Sequence, residues 1–506
     1  MLAPPHTDIG TARPSYTNRA ILVAAAGFGG LLAAVAATGL TGSFPLGIAI
    51  GLVTAWLTAR FAAARRLLVV DERACSRPLL TLSAITAAVA WLQLARLAVF
   101  MVDPANVGYS TLPSSRWEVR HSCLTAYYVA ANAADDAPDI YADALYSLPD
   151  SAPGAPRRPR TLGAFNIDVF EYPPTFLLLP RAAQLVTSDF NRLRPLWFAF
   201  NGAVLLLALV VISRSLDPAI GTRALLLSPL VVLALPTLGP LQKGNVQLIV
   251  IGLAMIGMRC FQRGQFAIGG AALGFAIVSK LYPGLLVIYL IARREWRAVT
   301  WTAALSAVFA ALVLLDVGAA PYAAFVEHLP KLMSGEAFPA FRNPAATASN
   351  MSIPGLVFKL KLLGFSGMSF EVAKVVGWLY TVFATGVVIV VARRARGVDG
   401  AAPFVWLAIL ILATLRSPFL PQGYGVFPAV WLLTLLAAAA APTWRTLATL
   451  LVIWLVFHFY VPPDWTIGVH ARIAIALLPQ TAMIALMAIA MRRYASPTSA
   501  SVGVRV

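Results

Sequence analysis

Residues 266–294 read FAIGGAALGFAIVSKLYPGLLVIYLIARR. Two apolar runs, 266–279 and 283–293, flank Lys280-Leu281-Tyr282-Pro283, and Arg293-Arg294 close the stretch. Neither run reaches the ~20 residues a helix needs to cross the hydrocarbon core. Broken helices at membrane depth are tolerated only where protein or a water-filled cavity satisfies the freed backbone groups. The stretch therefore reads as a shallow helix pair meeting at Lys280, and as a wall of a site.

Longer apolar runs lie on both sides of it. They fall near 20–40, 45–63, 79–102, 195–213, 222–239, 245–260, 298–316, 373–392, 401–418, 425–441, 444–460 and 472–491. Hydrophobic residues make up 59% of the 506-residue chain and charged residues only 12%, about half the usual charged share of a soluble domain. A single soluble core could not absorb this apolar surface, so the expected fold class is an all-α polytopic membrane protein. The 39 Lys+Arg exceed the 21 Asp+Glu, for a net charge of +18. The excess sits in short clusters between apolar runs: Arg60 with Arg65-Arg66, Arg293-Arg294 with Arg297, Arg393-Arg394 with Arg396, Arg445, and Arg492-Arg493. That is the positive-inside pattern and not a nucleic-acid footprint. Placing every cluster inside puts both termini in the cytoplasm and the working surface on the other face.

Two long segments then lie outside, 103–194 and 318–371. Residues 1–18 read as a cytoplasmic tail, 19–78 as an additional N-terminal transmembrane pair with a basic loop, 79–491 as the main membrane domain, and 492–506 as a second cytoplasmic tail. Within the first outer segment, 124–134 reads as an interfacial helix anchored by Tyr127 and Tyr128, and 151–160 as a Pro- and Arg-rich loop. The apolar stretch after Tyr172-Pro173-Pro174 is read as interfacial or re-entrant. Cys75, Cys123 and Cys260 show no metal-ligand spacing, and neither a disulfide nor a zinc site is expected.

Several polar residues interrupt the apolar pattern at the outer face. Asp103 directly follows a span, and Glu118, Arg120 and His121 share its loop. A carboxylate there is placed to act as a general base, or it is only a polar helix end. Lys280 either snorkels to the interface or meets an anionic phosphate. Arg416, at a span end, has the fork geometry to hold a phosphate through two hydrogen bonds. Gln242-Lys243-Gly244-Asn245-x-Gln247 is a polar hairpin, and Phe170-Glu171-Tyr172-Pro173-Pro174 is a rigid turn or part of a site. Walker loops, G-x-S-x-G and H-E-x-x-H are absent, which argues against ATP-driven transport and zinc hydrolysis.

In order and spacing these pieces resemble glycosyltransferase family 87 of the GT-C superfamily. The resemblance runs over Phe170-x-Tyr172-Pro173-Pro174, Gly244-Asn245, Gly269-Gly270-Ala271-Ala272-Leu273-Gly274 through Lys280-x-x-Pro283, Asn350-x-Ser352 and Arg416-Ser417-Pro418. It implies a bundle of about 12–14 transmembrane helices with a large outer loop after an early span. It further implies a mannosyl- or arabinofuranosyl-type transferase that takes a polyprenyl-phosphate sugar and modifies a glycolipid or cell-envelope glycan. The setting would be the bacterial inner membrane, with the active site on the periplasmic face. On this reading Asp103 is the general base, with Glu118 in reserve, and the acceptor hydroxyl attacks with inversion. Lys280 and Arg416 hold the donor phosphate. His121, Tyr172, Asn245, Asn350, Gln422 and Tyr424 shape the sugar and acceptor pocket. A divalent metal has room at the phosphate, although no residue is designated as its ligand. The family often carries an Asp a few residues before the loop's aromatic pair, whereas Ser122 to Ala126, just before Tyr127-Tyr128, hold no acid. The competing readings are a flippase for polyprenyl-linked glycans and a non-catalytic partner of an envelope-glycan complex.

Overall fold

The computed structural model describes residues 16–64, 70–149, 157–395, 399–440 and 442–494. Of the features above, the tail before Tyr16, Arg65-Arg66, residues 150–156, Arg396 and the tail after Tyr494 lie outside the described residues. The chain is an all-α polytopic membrane protein.

Each apolar run marked above contains a helix. Among the described residues, seven helices are long and apolar enough to cross a membrane: Thr17–Thr41, Phe44–Ala63, Arg77–Val102, Phe190–Ser213, Trp296–Val317, Phe370–Arg394 and Val469–Tyr494. Pro218–Leu233 and Leu235–Lys243, bent by 56°, make an eighth if counted together. Six shorter apolar helices follow the remaining runs, so 12–14 is reached only by counting elements below full crossing length. A 13-residue helix is about 20 Å long, against a hydrocarbon core of about 30 Å. Burial accounts for the shortfall. All of Ala402–Thr414 and nearly all of Phe427–Ala439 are enclosed by protein, as expected for helices apolar on every side. The outer ring meets lipid instead: Phe370–Arg394 exposes Leu379, Val382 and Phe383, and Trp296–Val317 exposes Leu312 and Leu315.

The first long polar segment folds into a cap at one end of the bundle. His121–Ser122 pairs in parallel with Phe165–Ile167, which pairs antiparallel with Thr161–Leu162. The helix expected at 124–134 is present as Cys123–Ala133, with most of its residues buried in protein. Tyr127 is fully buried and donates to the Tyr172 hydroxyl at 2.8 Å, while Tyr128 donates to the Ser188 carbonyl. The apolar stretch after Pro174 makes only a 3-10 turn and the short helix Leu178–Gln184. The opposite end of the bundle gathers Arg293, Arg393, Arg394, Arg445, Arg492 and Arg493.

Candidate active site

The break at Lys280 builds the first wall. Phe266–Ser279 ends with Lys280 in an extended conformation, and the 3-10 turn Tyr282–Gly284 leads into Leu285–Arg293. Phe370–Arg394 and the loop after Ala402–Thr414 form the facing wall, and Glu171-Tyr172-Pro173 enters from the polar cap. They enclose a cavity of about 470 Å³ whose polar lining includes Glu171, Gln247, Lys280, Thr381, Arg416 and Tyr424.

Lys280 Nζ donates to Gln247 Oε1 at 3.3 Å and stands 5.3 Å from the Tyr172 ring centre and 5.8 Å from that of Tyr424. Two aromatic faces thus hold the ammonium where a polar anion can still reach it. Arg416 Nε donates to Thr381 Oγ1 at 2.6 Å, and its terminal amino groups make no hydrogen bond among the described residues. Its guanidinium rests on Gly377, where a Cβ would come within 3.1 Å of Cζ. The hydroxyls of Ser279 and Tyr282, both lining residues, also have no hydrogen-bond partner among the described residues.

Glu171 is the only acid among these lining residues, and no hydrogen bond or ion pair within the described residues engages its carboxylate. Burial pushes its carboxyl well above the usual carboxylate range, and Asp168 adds to the shift. Lys280 and Arg157 pull the other way. A carboxylate with raised proton affinity, beside two cations and unpaired polar groups, has the chemistry of a general base facing an anionic ligand.

The other expected site residues divide clearly. Tyr172 and Tyr424 line the cavity, whereas His121, Asn245, Asn350 and Gln422 stand behind it. Asn245 Oδ1 accepts from the Gln247 N–H at 2.9 Å, fixing the residue that orients Lys280. Gly244 makes this turn with φ +68°, and a Cβ there would lie 2.9 Å from Leu124 Cβ. Asn350 accepts from the Leu420 N–H and donates to the Pro418 carbonyl, holding the loop that follows Arg416. Gln422 donates to the Phe459 carbonyl.

The structure does not bring Asp103 to this cavity. It is exposed and caps its own helix end, accepting from the Ala105 N–H and the Asn106 side chain. Glu118 is not a free base either: it forms an ion pair with Lys243 at 2.8 Å, both side chains 2% exposed, and accepts from the Tyr460 hydroxyl. Glu171 was read above only within residues 170–174, a rigid turn or part of a site, and was given no role of its own. Its signal was a lone acid in FEYPPTFLLLP, residues 170–180, an apolar setting in which an ionisable group is costly without a task.

Residues 170–420 match the family model for glycosyltransferase family 87. The chain belongs to glycosyltransferase family 87. It is a membrane glycosyltransferase. The part matching family 87 starts at Phe170, beside Glu171, and takes in Lys280 and Arg416, while Asp103 and Glu118 precede it. No curated protein and no solved structure matches the chain. Within Ser122 to Ala126, which hold no acid, Thr125 Oγ1 accepts from the backbone N–H of Asp168, the residue after the strand Phe165–Ile167.

Proposed function

We propose that this glycosyltransferase moves a sugar from a polyprenyl-phosphate donor to a glycolipid or cell-envelope glycan, with Glu171 as the general base. The observation that carries this reading is the meeting of one unpaired carboxylate with Lys280 and Arg416 in a single cavity. Glu171 takes the proton of the acceptor hydroxyl as that oxygen attacks the anomeric carbon, giving inversion. The bond to the phosphate oxygen breaks, and the leaving phosphate needs its charge held more than it needs a proton. Lys280 and Arg416 hold that charge. A lipid-borne donor is supported by the apolar flank of Leu281, Leu285, Leu332, Met333 and Trp378 beside these cations. Leu281 and Trp378 are about half exposed, on the side an isoprenoid chain would follow. The basic clusters at the opposite end support a periplasmic or extracellular active site in a bacterial plasma membrane, by the positive-inside rule. A flippase would need a polar path to both faces, and the polar lining found here is confined to one end.

The test is transfer of radiolabelled mannose, arabinose or glucose from polyprenyl-phosphate donors by the purified protein, with and without a chelator to read metal dependence. Transfer from one donor supports the reading, and none from the whole panel by folded protein removes the polyprenyl-phosphate donor. Lys280→Met is expected to raise KM for the donor by roughly 10–100-fold, the loss of one hydrogen bond to a charged group. Arg416→Lys should act in the same direction, because lysine keeps the charge and loses the fork. Initial rates against donor concentration check both, and an unchanged KM in both would remove these residues from phosphate binding.

A further inference from the structure

The polar cap holds a second cluster that the transfer reading does not use: His121, Cys123 and Asp168. Strand pairing assembles it. His121 is in register with Asn166 and Ser122 with Ile167, so one further step sets Cys123 beside Asp168. His121 lies in the strand, and Cys123 opens the helix Cys123–Ala133 directly after it.

The ligand atoms converge on one point. His121 Nε2 lies 3.7 Å from Cys123 Sγ and 3.7 Å from Asp168 Oδ2, and all three donor atoms fall within 4.8 Å of one another. A nucleophile relay would use both ring nitrogens, one toward the thiol and the other toward the carboxylate. Here a single nitrogen faces both groups, which is how ligands surround an ion. With zinc–ligand distances of about 2.0–2.3 Å, the edges of a tetrahedral site are about 3.3–3.6 Å. The two separations from His121 Nε2, 3.7 Å each, need only a few tenths of an ångström of contraction, and the edge between Cys123 and Asp168, within 4.8 Å, needs at most about 1 Å more.

The surroundings hold the ligands in place. The His121 imidazole is stacked on Trp117 at 4.3 Å between ring centres. Asp168 Oδ1 accepts from the Val169 N–H, leaving Oδ2 for the cluster. Asn245 Nδ2 donates to Cys123 Sγ at 3.2 Å, as a second-shell partner of a thiolate would. The nearby Lys243 is neutralised by Glu118 at 2.8 Å.

The geometry points to a zinc-class transition-metal site formed by His121 Nε2, Cys123 Sγ and Asp168 Oδ2, with a fourth position left for water. Thiolate with imidazole selects such metals over magnesium or calcium. The site connects to the cavity without sharing its ligands: Cys123 is held by Asn245, Asn245 by Gln247, and Gln247 by Lys280. The metal therefore acts as a positioning group for Lys280. The inference stands whether or not a polyprenyl-phosphate sugar is the donor.

The experiment is cobalt titration of the full-length, chelator-treated protein in detergent, read by absorption. The expected result is a thiolate-to-cobalt charge-transfer band that saturates at about one equivalent per chain and is displaced by zinc. Cys123→Ser should abolish the charge-transfer band, and Asp168→Asn should weaken binding by 10-fold or more while the melting curve stays near wild type. Saturation without a charge-transfer band, or a band unchanged in Cys123→Ser, overturns the site. Should Cys123→Ser fail to fold, the wild-type titration decides by itself, because absence of a band there also overturns it.

Discussion

Glu171→Gln is expected to lower sugar transfer by about 10²–10⁴-fold while leaving donor affinity within a few-fold of wild type. The amide keeps the size and polarity of the side chain but cannot accept a proton. No hydrogen bond or ion pair among the described residues depends on the carboxylate, so the substitution should not disturb the fold. The pH profile gives an independent check. Burial and Asp168 raise the proton affinity of Glu171 above the ordinary carboxylate range, and Lys280 and Arg157 only partly offset them. A general base works deprotonated. Transfer should therefore rise with pH through that elevated pKa, and this limb should disappear in Glu171→Gln. The measurements are single-turnover transfer and donor binding for both proteins across pH. Transfer within a few-fold of wild type would remove Glu171 as the base.

The second large effect concerns folding. Glu118 and Lys243 form an ion pair 2.8 Å apart with both side chains 2% exposed, so removing either partner leaves a buried, uncompensated charge. Lys243→Met and Glu118→Gln should each destabilise the protein, by about 3–5 kcal/mol where the stranded charge stays ionised. The double substitution should lose much less than the sum of the two, because no charge is left stranded. Glu118 also accepts from the Tyr460 hydroxyl, and the Gln242 side chain donates to its carbonyl, so the pair ties the cap to the end of Leu235–Lys243 and to the loop after Trp444–Val456. Melting curves in detergent for the two single variants and the double variant test this. Additive effects, or single losses under about 1 kcal/mol, would show the pair to be energetically slack, as exposed pairs are.

Hydropathy and charge spacing were enough to locate the helices, because both are local properties of a chain in a membrane. The apolar runs 266–279 and 283–293 became helices with their break at Lys280, and the lining of one cavity by both Lys280 and Arg416 agrees with their reading as polar exceptions in apolar surroundings. The number of full crossings was less legible. Ala402–Thr414 and Phe427–Ala439 have the composition of spans, and only their enclosure by other helices shows that they need not reach across lipid. Tyr127, adjacent to Tyr128, had the composition of an interfacial anchor until packing put its hydroxyl on Tyr172.

The carboxylates mark the limit most sharply. Asp103, Glu118, Asp168 and Glu171 all belong to one polar segment, 103–194, and nothing local distinguishes their tasks. Sequence alone determined that such acids stand at the end of a membrane bundle, because water and hydrocarbon sort residues by local polarity. The tertiary structure decided that Glu118 meets Lys243, Asp168 meets His121, Asp103 caps its own helix, and Glu171 remains unpaired in the cavity. Pairing depends on which distant residue arrives within a few ångströms, and charge interactions in a low-dielectric interior are decided at that distance.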